Sequence, residues 1–203
     1  MQEPNNYKNT QAAGEFTPIE LGGHYLVIKQ VEELKDKNGN PMIKVSFDTA
    51  DNDKQPHYFM DRFRNDIRPD KKWPGNGATW IGVIDQNGNC SRGFKGFTTA
   101  VEHSNPGFIT VWGDGFAASY KNKLVGGVFR EEIGVYNGKE THQRKLAWFC
   151  SNEKADGANI PAPIETKEYK AWKESGGLTS NPADDNGWMN IPDSVSDEEL
   201  PFN

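Results

Sequence analysis

The chain has 203 residues, a formal net charge of −6 and 2 cysteines. That length suits one domain with flanking segments, and no apolar run approaches the roughly 20 residues of a membrane span. Cys90 and Cys150 lie far apart, which argues against a disulfide framework or a zinc site. With a polar N-terminus and no signal-peptide pattern, we expect a cytoplasmic protein without a cofactor or metal.

Charge is distributed unevenly along the chain. Residues 174–203 hold seven acids and no base, whereas the preceding residues hold 23 bases and 22 acids. Such asymmetry is typical of an interaction tail, although a merely solubilising tail is the plain alternative. An apolar tip after the acids favours interaction. We therefore expect residues 166–203 to form a C-terminal extension with a flexible acidic tail.

The first half of the chain predicts strands. Residues 1–20 are a polar arm, and an alternating pattern begins at Gly23. The Asn38-Gly39 step favours a tight hairpin turn into a second strand at residues 42–48. After a polar loop, the alternation at residues 57–64 predicts a third strand, with Tyr58, Arg62 and Arg64 on one side.

The second half predicts one helix and two more strands. Residues 79–84 fit a short strand or a helix, and residues 92–104 have the apolar spacing of an amphipathic helix. A fourth strand at 123–136 contains Gly126 and Gly127, which favour a bulge or bend. Asn137-Gly138 predicts a second hairpin into a fifth strand at 143–150. Residues 165–175 fit a short helix.

This order of elements favours one fold class. Three strands, a helix and two strands match the mainly β, five-stranded OB-fold barrel, in which a helix lies between strands three and four. Another small α+β domain remains the alternative. We assign the barrel to residues 21–165.

A stretch at residues 54–73 combines bases with aromatic residues. This composition suits single-stranded nucleic acid, because cations track the phosphates while rings stack on unpaired bases. The alternative is a solvated strand face over core aromatics, and four nearby aspartates dilute the charge. The bases and aromatics are Lys54, Arg62, Arg64, Arg68, Lys71, Lys72, Tyr58, Phe59, Phe63 and Trp73.

Three motifs together carry a family resemblance. They are the SNPGF motif at 104–108 after the predicted helix, the KNKLVGGVFREE motif at 121–132, and the DEELPFN end at 197–203. In order and spacing they resemble a family of phage and prophage proteins thought to be OB-fold single-stranded DNA-binding proteins. The likeness covers roughly residues 15–165 and the tip.

The tip is also similar to that of bacterial single-stranded DNA-binding proteins, which docks onto replication and repair enzymes. The cellular tips usually end on a Phe with a recognised carboxylate, whereas here Asn203 follows Phe202. The resemblance implies partner binding through the tip to replication or recombination proteins. The tip residues concerned are Asp197, Glu198, Glu199, Leu200, Pro201 and Phe202.

The predicted function is sequence-tolerant binding of single-stranded DNA in phage or prophage replication or recombination, without catalysis. Barrels of this type bind through the outer face of strands two and three and the flanking loops. Whether the chain forms a homo-oligomer is left open. The candidate DNA-binding residues are Lys44, Tyr58, Arg62, Arg64, Lys72 and Trp73, followed by Arg144, Lys145 and Trp148.

Three alternatives stay open. The near-neutral body also fits a protein-interaction adaptor with a degenerate barrel, since strong nucleic-acid binders are often basic. A metal-dependent nuclease has less support, because the acid clusters at residues 48–53 and 184–185 fall in probable loops or tail and have no matching His or Lys at catalytic spacing. At the level of single residues, Trp148 also fits the core, and Arg62 and Arg64 also fit pairing with Asp61 and Asp66.

Overall fold

The computed structural model describes residues 2, 3, 7 and 17–176, so the acidic tip at 197–202 lies outside the described part. The longer strands are β1 (Gly22–Lys35), β2 (Pro41–Thr49), β3 (Ala78–Gly82), β4 (Leu124–Tyr136) and β5 (Lys139–Cys150), and β6 (Ile164–Glu165) has two residues. The helices are α1 (Tyr58–Arg64), α2 (Arg92–Ser104), α3 (Phe116–Ser119), α4 (Asn152–Ala155) and α5 (Lys167–Glu174). None of these described helices is long and apolar enough to cross a membrane.

One six-stranded sheet organises the molecule. Its main path runs in the order β3-β2-β1-β4-β5 with antiparallel pairing throughout, and β6 pairs with β4 in parallel. Within the described residues no ladder joins β3 to β5, so the predicted closed five-stranded barrel is not confirmed. The structure is mainly β, with an open sheet.

The two ends of the sheet nevertheless lie close to each other. Residues of β3 and β5 line opposite sides of one cleft. Just before β3, the Asn76 side chain donates a hydrogen bond to the Arg144 carbonyl on β5, with 3.3 Å between Nδ2 and O. The sheet therefore curls until its terminal strands face each other.

The concave side of the sheet holds the core. Ile43, Val45 and Phe47 alternate along β2 and are almost fully buried, as the period of two requires for one sheet face. Helix α2 packs Phe97 and Val101 onto this side. The predicted helix at 92–104 is confirmed, as are the strands at 42–48, 123–136 and 143–150, with ends shifted by a few residues.

The predicted third strand at residues 57–64 is wrong, because this segment is α1. Buried Asp48, near the end of β2, accepts the backbone N–H groups of Phe59 and Met60 at 3.0 and 3.2 Å from its Oδ1. Asp48 thus supplies an acceptor for backbone N–H groups that have no partner within the first turn of a helix. The third strand is β3, within the segment that fitted either a strand or a helix.

Gly127 in β4 lies where the side chains of Leu26 and Leu146 occupy the space of a Cβ. A Cβ there would lie 2.5 Å from Leu26 Cδ1 and 2.7 Å from Leu146 Cδ1. We expect Gly127→Ala to lower the free energy of unfolding by roughly 1–3 kcal/mol, measured by urea denaturation, because overpacking displaces buried side chains.

Gly96 in α2 provides the control for Gly127→Ala. A Cβ at Gly96 meets nothing within 4 Å. Since Ala suits a helix interior better than Gly, Gly96→Ala should stabilise the protein by roughly 0.5–1 kcal/mol. A Gly127→Ala protein as stable as the wild type would contradict the packing of β4 against Leu26 and Leu146.

Candidate nucleic-acid interface

Helix α1 presents Tyr58 and Arg62 one turn apart on the same face. The Arg62 guanidinium lies 5.7 Å from the centre of the Tyr58 ring, and its Nη1 donates to Asn76 Oδ1 at 3.2 Å. The Tyr58 hydroxyl accepts the backbone N–H of Ile19 at 2.9 Å. Burial raises the pKa of Tyr58, so its ring stays neutral near physiological pH.

The first cleft, which we call the α1 cleft, lies between α1 and the segment that leads to β3. Tyr58, Arg62, Lys72 and Trp73 line it together with the carboxylates Asp61 and Asp66. Arg68 makes a bidentate contact with Asp66 and lowers the pKa of that carboxyl to about 2. Because Asp66 is paired with Arg68, the pair adds no net charge to the cleft.

The second cleft, the β5 cleft, lies between α1 and β5. Tyr58 and Arg62 also line it, together with Trp80, Arg144 and Lys145. Arg144 donates to the Ile19 carbonyl at 2.6 Å, and Lys145 pairs with Glu132. The two clefts share Tyr58 and Arg62 and are therefore adjacent. Among the described residues that line them, cations outnumber carboxylates by five (Arg62, Arg68, Lys72, Arg144, Lys145) to three (Asp61, Asp66, Glu131).

The third cleft, the seam cleft, separates β3 from β5. Trp80, which also lines the β5 cleft, stands on its β3 side, and Trp148 stands on its β5 side. The pairing of β4 with β5 shifts by one residue at Ala147, so that Leu146 and Phe149 both pack on the core while Trp148 stays outside. The two indoles are 54% and 48% exposed.

His142 at the margin of the β5 cleft lies between two carboxylates. Its ring nitrogens are 2.8 Å from Glu140 Oε1 and 3.2 Å from Glu131 Oε1. The hydrogen bond to Glu140, followed by that to Glu131, raises the pKa of His142 above its ordinary value. Glu140 also accepts the Tyr169 hydroxyl from α5. The positive charge at this end of the cleft is therefore lost when His142 releases its proton.

Seven of the nine predicted DNA-binding residues line these three clefts, and Lys44 and Arg64 do not. Lys44 lies on β2 opposite Trp80 and pairs with Glu32 at 3.0 Å. Arg64 is exposed and lies 3.6 Å from Asp61. The seven residues brought together are Tyr58, Arg62, Lys72, Trp73, Arg144, Lys145 and Trp148.

Trp73 has a packing role besides its place in the α1 cleft. Its Nε1 donates to the Gly77 carbonyl at 2.9 Å, its ring lies against Phe63, and the side chain is half-buried. A side chain held in this way offers a ligand only part of its ring. Among the aromatic residues of the clefts, Trp80 and Trp148 expose more of their rings to a ligand.

Two acids of the 48–53 cluster support the fold. Asp48 is buried against the start of α1, and Asp53 accepts hydrogen bonds from His24 and from the backbone of Tyr25 and Gln55. In the described part of the chain, no group of three or more His, Cys, Asp or Glu side chains is arranged to hold a metal ion. Asp184 and Asp185 lie outside the described residues.

Comparisons with family models and with curated proteins identify no relative of this chain. The chain matches no protein-family model, and a search of curated proteins returns no match. The functional interpretation therefore depends on the three clefts and on the sequence motifs.

Proposed function

We propose that the chain binds single-stranded DNA without sequence preference along the α1 and β5 clefts. The observation that carries the proposal is that Tyr58 and Arg62 line both adjacent clefts, with an excess of cations along them. Cationic grooves that hold aromatic rings are typical of sequence-tolerant binders of single strands.

The strand order gives the proposal a second support. The order β3-β2-β1-β4-β5, with α2 between β3 and β4, is that of an OB-fold barrel cut open between strands three and five. We propose that the fold is a partly open barrel of this type. Such barrels bind oligonucleotides through the surface that includes strands two and three.

Each class of residue has a separate task in this proposal. Arg62, Lys72 and Arg144 contact phosphates, while the rings of Tyr58 and Trp80 face bases. Stacking is worth about 1–3 kcal/mol per base and does not depend on base identity, because every base has a π-face. The modest positive excess fits a binder that relies on stacking as well as on phosphate contacts.

We also propose that the tip at 197–202 recruits replication or recombination proteins. The support is the sequence alone, in which acids without any compensating base precede Leu200, Pro201 and Phe202. A segment of this composition buries too little apolar surface to fold by itself, but it docks onto a partner surface.

Arg62 and Arg64 provide a matched test, because both lie on α1 and only Arg62 lines the clefts. The wild type should bind oligo-dT more tightly than a duplex of equal length. Arg62→Ala should weaken oligo-dT binding on the order of tenfold through loss of a charged contact. It should also reduce the slope of log affinity against log salt by about 0.7. Fluorescence polarisation at several salt concentrations measures both effects.

Arg64→Ala serves as the control and should change neither quantity measurably. Equal affinity of the wild type for oligo-dT and duplex, or no binding at low salt, would contradict single-strand binding. The second of these outcomes would favour the protein-interaction adaptor, which the near-neutral body also fits. Equal losses in Arg62→Ala and Arg64→Ala would show that the clefts do not hold the strand.

A further inference from the structure

The seam cleft differs in chemistry from the two clefts that lead to it. Trp80 and Trp148 stand on its opposite sides. Gly93 and Gly96 of α2 also line it and carry no side chain. A Cβ at Gly96 would meet nothing within 4 Å, and one at Gly93 would meet only Ile81 Cγ2, at 3.7 Å. The cleft therefore has an indole on each side and open space beside α2.

Charge is nearly absent from this slot. Arg92 is the one charged residue among those that line it in the described structure, and no carboxylate is present. The α1 and β5 clefts, in contrast, contain both cations and acids. A slot of this kind favours a planar ring over a phosphate, because two indoles line it and Arg92 is its one charged side chain among the described residues.

Trp80 and Trp148 are about half exposed and line the same cleft. Exposed apolar patches on folded proteins often mark binding sites. Trp80 also lines the β5 cleft, so a strand that follows the cationic clefts reaches the seam cleft at Trp80. That continuity favours a nucleic-acid occupant.

We infer that the seam cleft is a stacking slot for one unpaired nucleobase at the end of the single-strand path, with Trp148 as its outer platform. This inference rests on the proposed function and assigns one end of the path. Within the described residues, no strand pairs with the edges of β3 and β5 that face the cleft. An extended peptide along those edges is the competing occupant.

Trp148→Ala tests the slot. Against an oligo-dT series of roughly 4 to 16 nucleotides, the wild type should gain affinity as the strand becomes long enough to reach the seam. Trp148→Ala should bind the shortest oligonucleotides as the wild type does and lose roughly 5- to 100-fold for the longest. Trp148→Phe keeps a ring and should recover most of that loss.

Trp112→Ala is the matched control. Trp112 is 70% exposed, like the seam tryptophans, but it packs on Phe116 and Phe94 and lines none of the three clefts. The Trp112→Ala variant should bind every oligonucleotide as the wild type does. Melting temperatures of all variants identify any loss that comes from unfolding.

The possible results separate the inference from the proposed function. If the wild type binds no oligo-dT, the proposed function fails and the inference with it. If the wild type binds but Trp148→Ala is unchanged at every length, the function stands and the slot is refuted, which leaves the strand edges to a peptide. A loss that is equal at all lengths, or is not recovered by Trp148→Phe, also overturns the assignment of a terminal stacking slot.

Discussion

Phe47→Ala should lower the free energy of unfolding by about 3–5 kcal/mol, because emptying a large aromatic site in a core leaves a cavity. Phe47 is fully buried on β2. Its ring meets those of Phe59, Phe129 and Phe149 edge-on, with centroids 5.6 to 6.2 Å apart. The residue therefore joins β2 to α1, β4 and β5, and its removal weakens all three contacts.

Urea denaturation gives this free energy, and Tyr136→Ala is the control. Tyr136 is an aromatic residue at the end of β4 that is 71% exposed, so its truncation should change stability by less than about 0.5 kcal/mol. Equal losses in the two variants would contradict the placement of Phe47 in the core.

Tyr58→Ala should lower both stability and binding, since Tyr58 is half-buried and its hydroxyl accepts the backbone N–H of Ile19.

Asp53→Asn should be as damaging as Phe47→Ala, although it changes only a carboxylate to an amide. The side chains of His24 and Asp53 are 0% and 2% exposed and lie 2.9 Å apart. The Asp53 carboxylate also accepts the backbone N–H groups of Tyr25 and Gln55 at 2.7 and 2.9 Å. The amide of Asn carries no charge, so hydrogen bonds to a charged acceptor, worth about 1.5–3 kcal/mol each, are lost or weakened at two or more of these donors.

This stabilisation depends on pH. Burial alone raises the pKa of Asp53, but hydrogen bonds from His24, Gln55 and Tyr25 outweigh it and hold that pKa below its ordinary value. A carboxyl whose pKa is lowered by folding stabilises the protein fully above its ordinary pKa. The contribution disappears as pH falls through the lowered value. The difference between wild type and Asp53→Asn should therefore be largest near neutral pH and shrink in acid.

Denaturation curves from neutral pH to strongly acidic pH measure this difference. Asp51→Asn is the control, since Asp51 lies in the same loop with its side chain 90% exposed and pairs only with His57 at the surface. Exposed pairs contribute little, so that variant should follow the wild type. A difference between wild type and Asp53→Asn that stays constant with pH would contradict a carboxylate whose pKa is lowered by folding.

Local patterns in the sequence were sufficient to predict most of the secondary structure. Helix α2 has both an amphipathic spacing and the Ser91 cap, whose Oγ accepts the Phe94 N–H at 3.0 Å. Helix α1 escaped prediction because the group that satisfies its start is Asp48, ten residues earlier on another element. The alternation of residues 57–64 indicated a strand, and a tertiary contact overrode it.

The candidate site was predictable in composition but not in shape. Tyr58 and Arg62 come together as predicted, but through a helical turn rather than a strand. Trp80 was missed, although its position between two inward-facing residues of a short strand was a usable signal. No local pattern reveals that Ile19 anchors both Tyr58 and Arg144, because these contacts join distant parts of the chain.

The central position of β1 has a consequence for the rate of folding. β1 pairs on one side with β2, which follows after a short turn, and on the other with β4, which begins at Leu124. Ile19 likewise bonds to Arg144, 125 residues away. Long loops must close before these contacts form, and this entropy slows folding. On the ribosome, the hairpin of β1 and β2 emerges long before β4, so the free edge of β1 remains open to wrong partners during synthesis.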